Sequence, residues 1–181
     1  MKTKLNKNIA YLVVIVVLLG LCGQFYYSYR YQPAHEISVY YNQDIQANQK
    51  VAEVIRDADK FVYFAVYTFT RNDLKDALLG AKYRGLDVRG VTDRDQLPKI
   101  NIQAKIVKEL RAAGIPVSVQ DHLGIMHLKT VVTDKAYASG SYNWTSAATN
   151  LNDEVLEIGR DEAVRAQYEK VLKTLLAKYP N

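Results

Sequence analysis

The run His127–Asn143, HLKTVVTDKAYASGSYN, holds an imidazole, an ammonium two residues later, a carboxylate and a Gly-Ser-x-Asn turn. In an extended strand, residues two apart point the same way, so His127 and Lys129 are expected on one face. An imidazole beside an ammonium makes a seat for a phosphate. Asp134 lies at an odd offset from His127 and would point to the other face. That predicts a structural role for Asp134, accepting hydrogen bonds in the turn between two strands. Ser141 and Asn143 follow the return strand and could donate to the same phosphate.

Positioning these groups takes a larger frame. The pattern predicts strands over 37–41, 61–69, 86–92, 115–120, 126–134, 136–139 and 155–158. It predicts helices over 45–58, from a capping-box-like Thr70-Arg-Asn-Asp73 to Gly85, over 102–113 to Gly114, and over 162–178. Strands alternating with helices indicate an α/β fold, a mixed β-sheet sandwiched between helices. No internal repeat is visible, so the chain carries one such segment.

The first 31 residues differ from the rest. Four of the 24 basic residues (Lys2, Lys4, Lys7 and Arg30) lie there with no acid, which leaves 20 basic against 19 acidic side chains in the other 150 residues. The net charge of +5 therefore describes mostly the tail and does not argue for a basic nucleic-acid binder. Ile9–Gly23 is uncharged and mostly apolar, and Phe25, Tyr26, Tyr27, Tyr29 and Tyr31 follow it. Together they reach the length of a transmembrane helix, with the aromatics suited to the interface. Lysines before the run predict the N-terminus inside and the following domain outside the cytoplasm, on the periplasmic or extracellular side. A cleaved signal peptide, giving a secreted protein, is the alternative; no small-x-small cleavage site follows the run. The expected division is an anchor or signal over 1–31, a linker around Pro33 over 32–36, and a catalytic domain over 37–181. Cys22 is the only cysteine, so no internal disulfide is possible.

The spacing H127-x-K129-x4-D134-x5-G140-S141-x-N143 resembles the HKD motif of the phospholipase D superfamily. More closely, the chain is similar to the small bacterial endonucleases of that superfamily that carry a single motif. The similarity runs from about Ile37 to the C-terminal helix. It includes Ala65-Val-Tyr-Thr-Phe-Thr70, Ala81-Lys-Tyr-Arg-Gly85-Leu-Asp-Val88 and Asn152-Asp-Glu154. One departure is a shorter hairpin: the family usually has six residues between the aspartate and the glycine, and here there are five, KAYAS.

The resemblance implies a phospholipase D/nuclease-like fold and a two-step phosphodiester displacement. One histidine forms a phosphohistidine and a second protonates the leaving oxygen. Lysine and asparagine stabilise charge on the phosphate, and a carboxylate matched by Glu154 orients the histidine. It implies no metal and no cofactor, and the sequence offers no cluster with convincing ligand spacing. Two histidines are needed and the motif supplies one. His122 and His35 belong to no matching constellation, so a C2 homodimer is expected to bring two copies of His127 together.

Other features carry less. Trp144, beside Asn143 in a chain with 14 tyrosines, is a candidate for stacking on nucleic-acid bases. The basic residues between Lys82 and Arg111 could line a groove that tracks phosphates, though acids dilute them. Asp93 and Asp95 are expected to shape a loop rather than bind a metal. The leading expectation is a membrane-tethered, metal-independent endonuclease acting on DNA, RNA or both. The alternatives are a phospholipid hydrolase of cardiolipin type and a non-catalytic nucleic-acid-binding dimer.

Overall fold

The computed structural model describes residues 7–30 and 37–179. The chain divides into two compact units, Met1–His35 and Glu36–Asn181. In the first, helix α1 spans Lys7–Arg30. Its stretch Lys7–Tyr27 has 21 residues and a mean hydropathy of 2.3. At ~1.5 Å per residue this is long enough to cross a ~30 Å hydrocarbon layer. The apolar run and the aromatics Phe25, Tyr26 and Tyr27 thus form one continuous helix. Pro33, His35 and the expected linker lie outside the described residues.

The second unit is built on a seven-stranded mixed sheet. The strands are β1 (Ile37–Tyr41), β2 (Phe61–Val66), β3 (Asp87–Thr92), β4 (Val117–Val119), β5 (Lys129–Thr133), β6 (Tyr137–Gly140) and β7 (Val155–Gly159). Their order is β1-β7-β6-β5-β2-β3-β4, with β2, β3 and β4 parallel and the other pairings antiparallel. The helices are α2 (Ala47–Arg56), α3 (Asn72–Tyr83), the single turn α4 (Gln96–Lys99), α5 (Asn101–Ala112), the short α6 (Ser146–Asn150) and α7 (Glu162–Lys178).

Helices cover both faces, so central strands are apolar without alternation. On β2, Val62, Phe64 and Val66 face a cluster with α2, α3 and α5, while Tyr63 and Ala65 face α7 through Leu172 and Tyr168. The glycines Gly85 and Gly114 have φ of +87° and +78° and end α3 and α5. Beyond them, Leu86 N–H donates to Ala81 O at 3.2 Å and Ile115 N–H to Leu110 O at 3.0 Å, the bond pattern of a Schellman cap.

Several elements differ from expectation, each for a local reason. β2 ends at Val66 rather than Phe69, because the chain turns out of the sheet there. β5 begins at Lys129 rather than Met126, so His127 precedes the strand. The capping box is absent: α3 has Arg71 at its N-cap with no side-chain cap. Asp73 is instead gripped by Arg71 through two hydrogen bonds of 2.8 Å and by Asn48 at 2.6 Å. Helices α4 and α6 are too short to show a helical period in the sequence.

Asp134 accepts backbone hydrogen bonds, as expected of it, but from a neighbouring loop rather than from its own turn. Its Oδ1 accepts from Asp59 N–H at 3.0 Å and Lys60 N–H at 3.1 Å, tying the β5–β6 turn to the entry of β2. The turn itself is held by Thr133, whose Oγ1 accepts from Lys135 and Ala136 N–H. Burial alone would raise the Asp134 pKa, but the backbone N–H donors of Lys60, Asp59 and nearby residues hold it below 3.8. A depressed carboxylate stabilises the fold above its ordinary range and loses that effect as pH falls through its folded value. We expect Asp134→Ala to lower stability by about 1–2 kcal/mol at neutral pH. The gap should close in strong acid, as read from thermal unfolding of both proteins between pH 7 and 2.

Candidate active site

Of the residues singled out in the sequence, His127, Lys129, Ser141, Asn143 and Glu154 meet at one end of the sheet, while Asp134 lies at the other. Three segments come together there: the continuation of β2 over Tyr67–Arg71, the approach to β5 over Met126–Lys129, and the turn after β6 over Ser141–Thr145. Tyr67 N–H donates to Leu128 O at 2.8 Å, extending the β2–β5 pairing past Val66 and Lys129. On the other side, Trp144 N–H donates to Thr68 O at 3.0 Å, and Trp144 O accepts from Thr70 and Arg71 N–H. Thr68 N–H donates to Asn143 Oδ1 at 3.3 Å.

His127 and Lys129 share an environment as expected, though by a different route from two side chains on one strand. Both meet the ring of Tyr67. The His127 imidazole lies edge-on to it with centroids 4.7 Å apart, and Lys129 Nζ stands 5.1 Å from its centroid. His127 is exposed and Lys129 is buried, at 6% exposure. Lys129 Nζ donates to His127 O at 2.7 Å, which couples the two residues directly. Among the described residues the ammonium has no carboxylate in ion-pair contact. Burial lowers the Lys129 pKa, and the negative charge of Glu154 opposes that shift in part.

Asn143 is pinned through Oδ1, which leaves its Nδ2 without a protein partner among the described residues and available as a donor. Ser141 is committed elsewhere: its hydroxyl donates to Glu154 Oε2 and accepts from Val155 N–H at 3.0 Å. Glu154 is buried, and its other oxygen accepts from Asn152 Nδ2 at 3.1 Å. Its backbone is clamped by Asn42, whose Oδ1 accepts from Glu154 N–H at 2.9 Å. The expected hydrogen bond from the His127 imidazole to Glu154 is not present; the two carboxylate oxygens accept from Ser141 and Asn152 instead. Gly140 makes this turn possible. Its φ is +154°, and a Cβ there would stand 2.1 Å from Val155 O.

Trp144 has to be corrected. It is 1% exposed, with its ring 4.9 Å from Phe69 and 5.9 Å from Phe64 by centroid, so no face is open to a base. The basic stretch is not a continuous groove either. Arg84 caps the carbonyls of Ile55, Arg56 and Ala58, Arg89 pairs with Asp87, Arg94 with Asp95, and Arg111 donates to Val117 O. His122 accepts Gly124 N–H on Nδ1 at 2.9 Å and lies beside Tyr179, with ring centroids 6.1 Å apart. His35 lies outside the described residues. Among the described residues, no three His, Cys, Asp or Glu side chains gather as a metal site would require.

The motif gave no sign of Tyr67, Thr68, Asp93 or Gln103 as parts of this site. Asp93 is fully buried and holds the approach to His127. Its Oδ1 accepts from Asp95 and Gln96 N–H at 2.9 and 3.2 Å, and its Oδ2 from Gln120 Nε2 and Met126 N–H at 3.0 and 2.9 Å. It shapes a loop, as expected of it, but the loop is the one leading to His127. The family model described as "Cardiolipin synthase, PLD-like domain" matches residues 51–176. The chain belongs to the phospholipase D superfamily. Its phospholipase D-like region is 32% identical over 123 residues to the mitochondrial cardiolipin hydrolase of Xenopus tropicalis, covering 67% of this chain and 57% of that protein. It is 32% identical over 121 residues to a phospholipase D of Rickettsia conorii, covering 65% and 58%. The chain thus spans a little over half the length of these curated relatives. The fold is that of the phospholipase D family member Nuc from Salmonella typhimurium, with a TM-score of 0.74 and 24% identity over 80% of this chain and 96% of that one. NucT from Helicobacter pylori gives a TM-score of 0.70 and 22% identity over 78% and 96%.

Replacing Asp93 by alanine leaves four N–H donors facing a cavity, each costing about 1–3 kcal/mol when left unpaired. We expect Asp93→Ala to lower the melting temperature of the second unit by roughly 10 °C or more, as read by circular dichroism on the full chain in detergent.

Proposed function

We propose that the chain is a metal-independent phosphodiesterase, an endonuclease that cleaves DNA, RNA or both through a phosphohistidine at His127. One observation carries this reading: Lys129 is a buried ammonium with no carboxylate in contact, held against the same tyrosine ring as an exposed imidazole. A buried unpaired cation is costly, and an anion arriving beside it relieves the cost. A phosphodiester brings that anion.

In this reading the His127 ring nitrogen attacks phosphorus, and the bond to the leaving oxygen breaks. Lys129 Nζ and Asn143 Nδ2 donate to the non-bridging oxygens as charge builds there. His127 of the partner subunit gives its proton to the leaving oxygen. It then takes a proton from the water that attacks the phosphohistidine, and His127 is released. Glu154 serves through its charge near Lys129 and through the Ser141 turn rather than by holding the imidazole. Residues 1–31 act as the membrane anchor, 32–36 as the linker and 37–181 as the catalytic domain outside the cytoplasm.

A second reading, hydrolysis of a cardiolipin-type phospholipid, is supported by the apolar residues around His127. Leu123, Ile125 and Leu128 are all exposed on its approach, and named relatives are cardiolipin hydrolases. The test uses the full chain in detergent with excess EDTA, offered single-stranded DNA, duplex DNA, RNA or cardiolipin vesicles. Nucleic-acid cleavage is expected, reduced at least ~10³-fold by His127→Ala. Lipid turnover without nucleic-acid cleavage would overturn the endonuclease in favour of the second reading.

The shared site makes its own prediction. Co-expressing the wild type with an equal amount of His127→Ala should leave about a quarter of the activity, since only one dimer in four keeps both histidines. Half the activity would mean that each chain works alone. Inorganic phosphate, which reads the ammonium without the proton-transfer step, should bind more weakly at alkaline pH with a midpoint below the ordinary lysine value of 10.5, because burial depresses Lys129. Any phosphate binding that Lys129→Arg retains should lose that dependence, because a guanidinium stays charged.

A further inference from the structure

The residues that hold Tyr67–Phe69 decide where three of the proposed catalytic groups stand, and one of them lies on a helix that the motif does not touch. On α5 the buried set is Gln103, Ile106, Val107 and Leu110, an i, i+3, i+4, i+7 stripe. Three of the four are apolar core residues. A glutamine in that stripe forgoes the burial a leucine would provide, and its amide needs hydrogen bonds to be tolerated. Gln103 is 0% exposed and makes three. Its Oε1 accepts from Phe69 N–H at 2.9 Å, and its Nε2 donates to Tyr67 O at 2.9 Å and to Thr92 Oγ1 at 2.8 Å.

The amide therefore grips the segment on both sides of Thr68, as a neighbouring strand would. We propose that Gln103 is a positioning residue of the active site, acting through Tyr67 and Thr68 on His127, Lys129 and Asn143. The Tyr67 ring touches His127 and Lys129, and Thr68 N–H fixes the Asn143 amide. Gln96 on α4 adds to the hold, its Oε1 accepting from Thr68 Oγ1 at 3.2 Å. Because Nε2 is also bonded to Thr92 Oγ1 on β3, the geometry of the grip is set by α5 and β3. The inference rests on the proposed phosphodiesterase reading for its kinetic consequence, though not for its structural one.

The test replaces Gln103 by methionine, close in shape and apolar, in the full chain in detergent with histidines labelled for NMR. The chain has three histidines, which single His→Ala variants assign. In Gln103→Met the His127 ring signals should move toward those of a free imidazole while His122 stays in place. On the substrate found above, kcat should fall roughly 10–100-fold with KM changed less than about threefold. Val54→Ala, on the buried face of α2, serves as the control: it should lower the melting temperature without moving either histidine or kcat. Unchanged His127 signals and kcat in Gln103→Met would overturn the proposal, as would His122 and His127 moving together. Should the methionine variant not fold, Thr92→Val removes one of the three bonds and must give a smaller shift of the same kind, or the proposal fails. If the wild type cleaves no phosphodiester, the functional reading falls while the NMR comparison still decides whether Gln103 sets His127.

Discussion

The site depends on one constraint: the backbone that leaves the sheet after Val66 must still satisfy its polar groups. Five consecutive N–H groups, from Tyr67 to Arg71, lie outside any helix or strand, on residues that are half-buried or, at Phe69, buried. They go in turn to Leu128 O, Asn143 Oδ1, Gln103 Oε1, and Trp144 O twice. Buried donors left unmade would cost more than any single contact here returns. The partners recruited for this purpose come from the approach to β5, the turn after β6 and helix α5. Three segments far apart in sequence therefore converge on one turn of chain, and His127, Lys129 and Asn143 arrive with them.

Placing Lys129 in that convergence has an energetic consequence. A carboxylate pressed against the ammonium would neutralise it and leave nothing for a ligand anion to do. Here the nearest negative influence, Glu154, is occupied by Ser141 and Asn152 and acts only through space. The ammonium instead meets a backbone carbonyl and a tyrosine face, both of which favour a cation without cancelling its charge. Asn42 matters for the same reason, since it fixes the backbone of Glu154 from β1's end and keeps the carboxylate at that remove.

Much of this was legible in the sequence, and the exceptions have physical causes. Apolar, β-branched runs and helical periodicity located all seven strands and the longer helices, because burial on both faces of the sheet makes the central strands continuously apolar and gives each helix one buried face. The motif spacing singled out His127, Lys129 and Asn143 and the family resemblance singled out Glu154, and the fold brings these side chains to one end of the sheet. Tyr67 and Thr68 fell within the Ala65–Thr70 stretch of the resemblance, but their place in the site was not legible because they read as the end of an apolar strand and nothing local announces that the strand stops at Val66. Gln103 did leave a mark, a polar residue on an apolar stripe, but its partners are 34 and 36 residues upstream at Phe69 and Tyr67. Trp144 misled for the opposite reason. An aromatic beside a site residue is as readily a core plug as a platform, and only its burial decides between them.

The hairpin between Asp134 and Gly140 shows why a change in spacing need not disturb the site it leads to. Its loop is a tight turn closed by Thr133 N–H to Ala136 O at 2.8 Å, and Val132 then pairs with Tyr137. One more residue would demand a longer loop or a bulge. Either change would sit upstream of Gly140, at the end of the sheet away from His127. From Gly140 onward the chain is held by contacts that do not pass through the hairpin. Gly140 pairs with Leu156, Ser141 N–H donates to Val155 O, and Asn143 and Trp144 are fastened to Thr68. Asn143 is therefore located by β7 and by the broken end of β2. Motif length can vary here because the site is defined by the surfaces it closes against rather than by the count of residues that reach it.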